Sequence, residues 1–78
     1  MESIFTKEYS AFLEVIVAAR LSQNLTQSAV AERLKKPQSF VSKCESGGRR
    51  VDIVEFFTIC RALEKDPVAL LKDMGFLK

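Results

Sequence analysis

The sequence predicts an all-α fold, a compact bundle of five helices, and three observations predict it. Apolar residues recur at steps of three and four in five successive stretches, a capping residue or a proline heads each of the last four, and no alternating pattern is long enough for a strand. The 78 residues leave room for a single domain over 1–78. With 47% hydrophobic residues, only 3 Gly and 2 Pro, the chain is too apolar and too little interrupted to be a disordered tail.

The first helix is read over 5–21, where Phe5, Tyr9, Phe12, Leu13, Ile16 and Ala19 share one face. Ser22, Gln23 and Asn24 interrupt it, and Asn24 tolerates the left-handed backbone that closes a helix. Thr26 can accept from the unpaired N–H groups of a second helix, whose inward stripe is Val30, Ala31 and Leu34. Pro37 lacks a backbone donor and biases Lys36 toward an extended conformation. The chain therefore turns at Lys35 and Lys36, and a third helix starts with Pro37 in its first turn. Phe40, Val41 and Cys44 are its apolar face, and Ser46, Gly47 and Gly48 stop it. Asp52 with Glu55 three positions later makes a cap and box for a fourth helix. That helix turns Ile53, Phe56, Ile59, Cys60 and Leu63 inward and ends near Lys65. Asp66 before Pro67 opens a short fifth helix carrying Val68, Leu70, Leu71 and Met74.

The charge is unevenly placed. Residues 33–50 hold six bases (Arg33, Lys35, Lys36, Lys43, Arg49, Arg50) against one acid, Glu45, while the other residues carry six bases and nine acids. A positive stripe on an acidic body suits a polyanion, although a solvated face would also carry such charges. The chain has no histidine, and its two cysteines, Cys44 and Cys60, stand sixteen positions apart with apolar neighbours. This pattern predicts reduced core side chains, no metal site and no cofactor. Neither a nucleophile with its base nor a Gly-rich phosphate loop is present, so the chain is not read as an enzyme. No uncharged apolar run approaches the ~18 residues of a membrane span. Glu2 and Glu8 stand where a signal peptide would want bases. The expectation is a soluble, cytoplasmic protein without a membrane partner.

Spacing then becomes specific. The run LTQSAVAERL at 25–34, followed by PQSFVSKCESG at 37–47, resembles the phage-repressor helix-turn-helix family (lambda repressor and Cro, Xre), with the motif at about 26–45 and the likeness extending over 20–66. Ala31 stands where the two motif helices cross and a larger side chain would part them; Val41, ten positions later, drops into that crossing. Lys35 occupies the turn position usually held by glycine, and Cys44 is smaller than the bulky residue often found at its place, so Phe40, Phe56 or Phe57 is expected to fill the space.

The resemblance implies that the second motif helix lies in a DNA major groove, with Gln38, Ser39, Ser42 and Lys43 turned to base edges. Phe40 can either meet a thymine methyl or fold back on the second helix. Gln27 matches the family's phosphate-contacting glutamine, and Lys35, Ser46, Arg49 and Arg50 would contact the same backbone. Arg20 and Glu45 match positions that form a structural ion pair. The function implied is a sequence-specific double-stranded DNA-binding transcriptional regulator, in its simplest form a repressor binding a palindromic operator as a homodimer. The expected dimer face is the apolar C-terminus, Val68, Leu70, Leu71, Met74, Phe76 and Leu77. The alternative is a protein-interaction adaptor on the same fold, such as a toxin-neutralising antitoxin subunit.

Overall fold

Helices begin in this chain where a side chain can satisfy unpaired backbone N–H groups. The computed structural model describes residues 6–77 and contains α1 (Lys7–Ser22), α2 (Gln27–Leu34), α3 (Gln38–Ser46), α4 (Ile53–Leu63) and α5 (Pro67–Asp73), with no strand among them. Phe5, counted in the first helix by its periodicity, lies outside the described residues. Thr6 accepts from the Tyr9 N–H at 3.1 Å, and Thr26 from that of Ala29 at 3.0 Å. Asp52 and Glu55 close a reciprocal capping box, and Asp66 accepts from the Val68 N–H at 3.2 Å. α3 differs: Pro37 is its N-cap rather than part of its first turn and supplies no side-chain bond.

Four of the five helix ends share one device. Asn24, Lys35, Glu64 and Gly75 all have positive φ, at 58°, 59°, 57° and 88°. After each, the next N–H reaches back five residues, as in Lys36 to the Ala31 carbonyl at 3.0 Å and Lys65 to that of Cys60 at 2.9 Å. Only the last of the four is glycine. Lys35 was visible in the sequence as a departure from glycine. Glu64 was not, because a helix read to end near Lys65 in fact stops at Leu63.

The core takes side chains from all five helices. Phe12, Leu13, Ile16 and Ala19 meet Val30, Ala31, Val41, Cys44, Phe56, Ile59, Cys60, Leu63, Leu70 and Met74, and the polar side chains most enclosed beside them are the paired Arg20 and Glu45. Tyr9 stacks on Phe12 at 5.3 Å and Phe12 meets Phe56 at 5.6 Å; the Tyr9 hydroxyl accepts from the Val51 N–H at 3.1 Å, tying α1 to the loop before α4. Both cysteines are buried thiols. Burial pushes the Cys60 thiol up to about 11 and raises that of Cys44 as well. Among the described residues no helix is long and apolar enough to cross a membrane.

Three expectations about packing are corrected. Ile53 is 62% exposed rather than inward, because the buried face of α4 is set by Phe56, Ile59, Cys60 and Leu63. The space beside Cys44 is only partly filled: Phe40 leans over it, Phe57 faces solvent, and an apolar hollow of about 20 Å³ remains between Ile16, Val30, Val41, Cys44 and Ile59. Of the six C-terminal apolar residues, Leu70 and Met74 belong to the chain's own core and Leu71 is half-buried, which leaves Val68, Phe76 and Leu77 exposed.

A left-handed residue with a Cβ costs about 1–2 kcal/mol that glycine does not. Glu64→Gly is therefore expected to raise the unfolding free energy by about 1 kcal/mol in urea titrations, whereas Glu64→Val should lower it.

Candidate nucleic-acid interface

α2 and α3 are short, eight and nine residues, and take their mutual position from packing. Ala31 and Val41 are 3% and 4% exposed, one on each helix, where α3 lies chiefly against α2. This places the outward face of α3 beside the turn at Lys35 and the loop at 47–52.

A chain of hydrogen bonds runs from α1 to the first residue of α3. The Arg20 guanidinium grips Glu45 through two bonds, Nε to Oε2 at 2.7 Å and Nη2 to Oε1 at 3.1 Å, and its Nη1 donates to the Leu25 carbonyl at 2.8 Å. The two side chains are 12% and 8% exposed. Glu45 Oε1 also accepts from Gln27 Nε2 at 2.9 Å, and Gln27 Oε1 accepts from Gln38 Nε2 at 2.7 Å. An ionised carboxylate only accepts, so Gln27 must turn its NH₂ toward Glu45 and its carbonyl toward Gln38. Gln38 in turn must donate, which leaves its own carbonyl oxygen and one N–H unspent. That acceptor and donor, side by side on one amide, complement the N6 amino group and N7 of adenine.

Among the other residues singled out for base edges, Ser39 and Lys43 are exposed on α3 and Ser42 is half-buried. Lys35 is exposed in the left-handed turn. The Ser46 hydroxyl is occupied locally, donating to the Lys43 carbonyl at 3.3 Å and accepting from the Gly48 N–H at 3.4 Å, so it shapes the turn after α3. Gln27 sits at the head of α2 with both amide atoms engaged in the chain just described. Arg49 pairs with Glu55 at 2.7 Å, and Arg50 lies over the Tyr9 ring at 4.8 Å.

Phe40 takes the inward of its two readings: it is half-buried and packs against the core. Its ring also carries two cations, Arg49 with Cζ at 4.8 Å and Lys36 with Nζ at 5.4 Å. Lys36 was not singled out from the sequence as a site residue. It stands four residues before Phe40, a spacing that signals contact only inside one helix, and here the chain turns between the two. Lys36 and Arg49 thus stand beside α3 over the Phe40 ring, Arg49 also held by Glu55, while Arg50 is held over Tyr9 of α1 and Lys35 is exposed in the turn. The hydrogen bond from Arg49 and the Asp52 N–H hold the Glu55 carboxyl below its ordinary range.

Helix-turn-helix, as a family, matches this chain over residues 16–70. Among solved structures the chain is similar to an XRE-family like protein from Pseudomonas syringae pv. tomato str. DC3000, with 43% identity and a TM-score of 0.84 over 88% of this chain and 84% of that one. None of the curated proteins matches it.

Removing Glu45 strands a largely enclosed guanidinium. Glu45→Ala is expected to cost about 3 kcal/mol of unfolding free energy, read by urea titration, with an unchanged helical spectrum at low denaturant. The Glu55 carboxyl, lowered in the folded chain from an unfolded value near 4.5, adds stability that is whole above that value and is lost as the pH falls through the folded one. The stability gap between wild type and Glu55→Gln should therefore narrow from about pH 7 to about pH 3, and a gap independent of pH would contradict the pairing.

Proposed function

The chain belongs to the Xre-like helix-turn-helix family of DNA-binding transcription regulators, and from that premise we propose that it is a repressor, binding a palindromic operator in double-stranded DNA as a homodimer. The family is one of regulators rather than enzymes, and its ligand is duplex DNA.

The observation that carries this reading is the hydrogen-bonded chain Arg20, Glu45, Gln27, Gln38. A side chain at the head of an exposed helix is held in one amide orientation by an anchor in the body of the protein. Such pre-organisation spends no side-chain freedom at the moment of binding. With α3 in the major groove, Gln38 reads an adenine, Lys43 donates to guanine acceptors, and Ser39 and Ser42 meet either base edges or phosphate. Lys35, Lys36, Arg49 and Arg50 neutralise phosphates on either side, and the free backbone N–H groups at the head of α2, where Gln27 stands, contribute hydrogen bonds, while the Ser46 hydroxyl, bonded to Lys43 and Gly48, is left to shape the turn. Ala31 and Val41 set the angle at which α3 enters. One module of this size covers about 600–1,000 Å² on DNA, so affinity calls for two half-sites about one helical turn apart. A dimer seated across a promoter excludes polymerase.

Operator selection from random duplexes, followed by titration of two variants over a range of salt, tests this. Gln38→Ala should lose about 1–3 kcal/mol of discrimination at a single base step and keep the salt dependence of wild type. Arg49→Ala should weaken every duplex alike and reduce the log–log salt slope by about 1. Equal loss on all sequences for both variants would remove α3 from base reading.

A further inference from the structure

α4 is apolar on two sides. Phe56, Ile59, Cys60 and Leu63 face the core, while Ile53, Val54 and Phe57 are 62%, 69% and 47% exposed and adjoin one another on the outward face. This is a denser exposed apolar patch than the C-terminus retains, and it lies on a rigid helix held by a capping box. We propose that this face of α4 is the homodimer interface, and that its occupant is the same face of a second copy crossing antiparallel at Phe57.

Charge selects that occupant. Ile53, Phe57 and Arg61 succeed one another four residues apart, and Asp52 stands beside Ile53. In a two-fold, antiparallel crossing centred on Phe57, the Arg61 stem lies along the partner's Ile53 and its guanidinium reaches the partner's Asp52. Among the described residues neither Arg61 nor Asp52 has an ion-pair partner in its own chain. One end of the stripe is acidic and the other basic, so the surface complements itself, as an isologous contact requires. The stripe starts three residues after Arg50, and the antiparallel crossing carries the two basic loops to opposite ends of the helix pair. The patch is small, which points to a weak dimer that two adjacent half-sites reinforce.

This inference deepens the homodimeric reading above, and its test needs no DNA. Val54→Glu disturbs nothing buried and places a carboxylate in the first turn of α4, where the helix favours it, so the variant folds. In sedimentation equilibrium at ~100 μM, wild type is expected to self-associate to a dimer and Val54→Glu to do so at least ~10-fold more weakly, with Arg61→Glu reduced in the same direction and Val68→Glu unchanged. A wild type that stays monomeric at that concentration, or a dimer broken by Val68→Glu and untouched by Val54→Glu, overturns the assignment. Failure of wild type to bind any duplex would instead remove the DNA reading and leave the dimer result standing.

Discussion

The Arg20–Glu45 ion pair is the constraint on which the site depends. It joins α1 to the C-terminal turn of α3, and through the Leu25 carbonyl and Gln27 it draws in both the entry and the head of α2. A largely enclosed pair of this kind adds little net stability over a well-packed apolar contact. Its effect here is directional. Because Glu45 can only accept, it dictates which way Gln27 turns, and Gln27 dictates which way Gln38 turns. A charge inside the bundle is converted into a fixed pattern of donor and acceptor on its surface.

The frame around that chain is modest. α2 and α3 are too short to persist alone and depend on Ala31 and Val41 for close approach. Left-handed residues with side chains at Asn24, Lys35 and Glu64 take backbone strain, and the hollow beside Cys44 gives up packing. The aromatic cluster of Tyr9, Phe12 and Phe56 offsets part of this and does a second service, since Tyr9 both anchors the loop at Val51 and underlies Arg50. Arg50 is therefore held on a ring of the cluster that joins α1 and α4, while Lys36 and Arg49 rest on Phe40.

All five helices were legible in the sequence because apolar spacing marks each one, with caps at Thr26, Asp52 and Asp66 and the break at Pro37 placing four of the five starts. The motif at 26–45 was legible because residues of several kinds fall into place together, among them Thr26, Ala31, Pro37 and Val41. What stayed hidden depends on relations between elements. Ile53 reads as inward by spacing alone, but the buried arc of α4 is narrower than its apolar content. Phe40 left two readings open until its neighbours Lys36 and Arg49 were placed around it. Gln27 and Gln38 were each visible as polar residues on outward faces, yet no spacing rule brings together residues eleven positions apart across a turn. Their coupling, and with it the orientation of the Gln38 amide, belongs to the folded chain.

The central claim is that Gln38 reads adenine because Gln27 holds it, and operator selection with Gln27→Ala tests that claim most directly. On the proposed reading, which gives Gln27 to phosphate and not to a base, the variant loses preference at one base step while the preferences due to the rest of α3 persist. A variant that keeps the full wild-type preference and binds every sequence more weakly by the same factor would show that Gln27 acts on phosphate alone, and would contradict it.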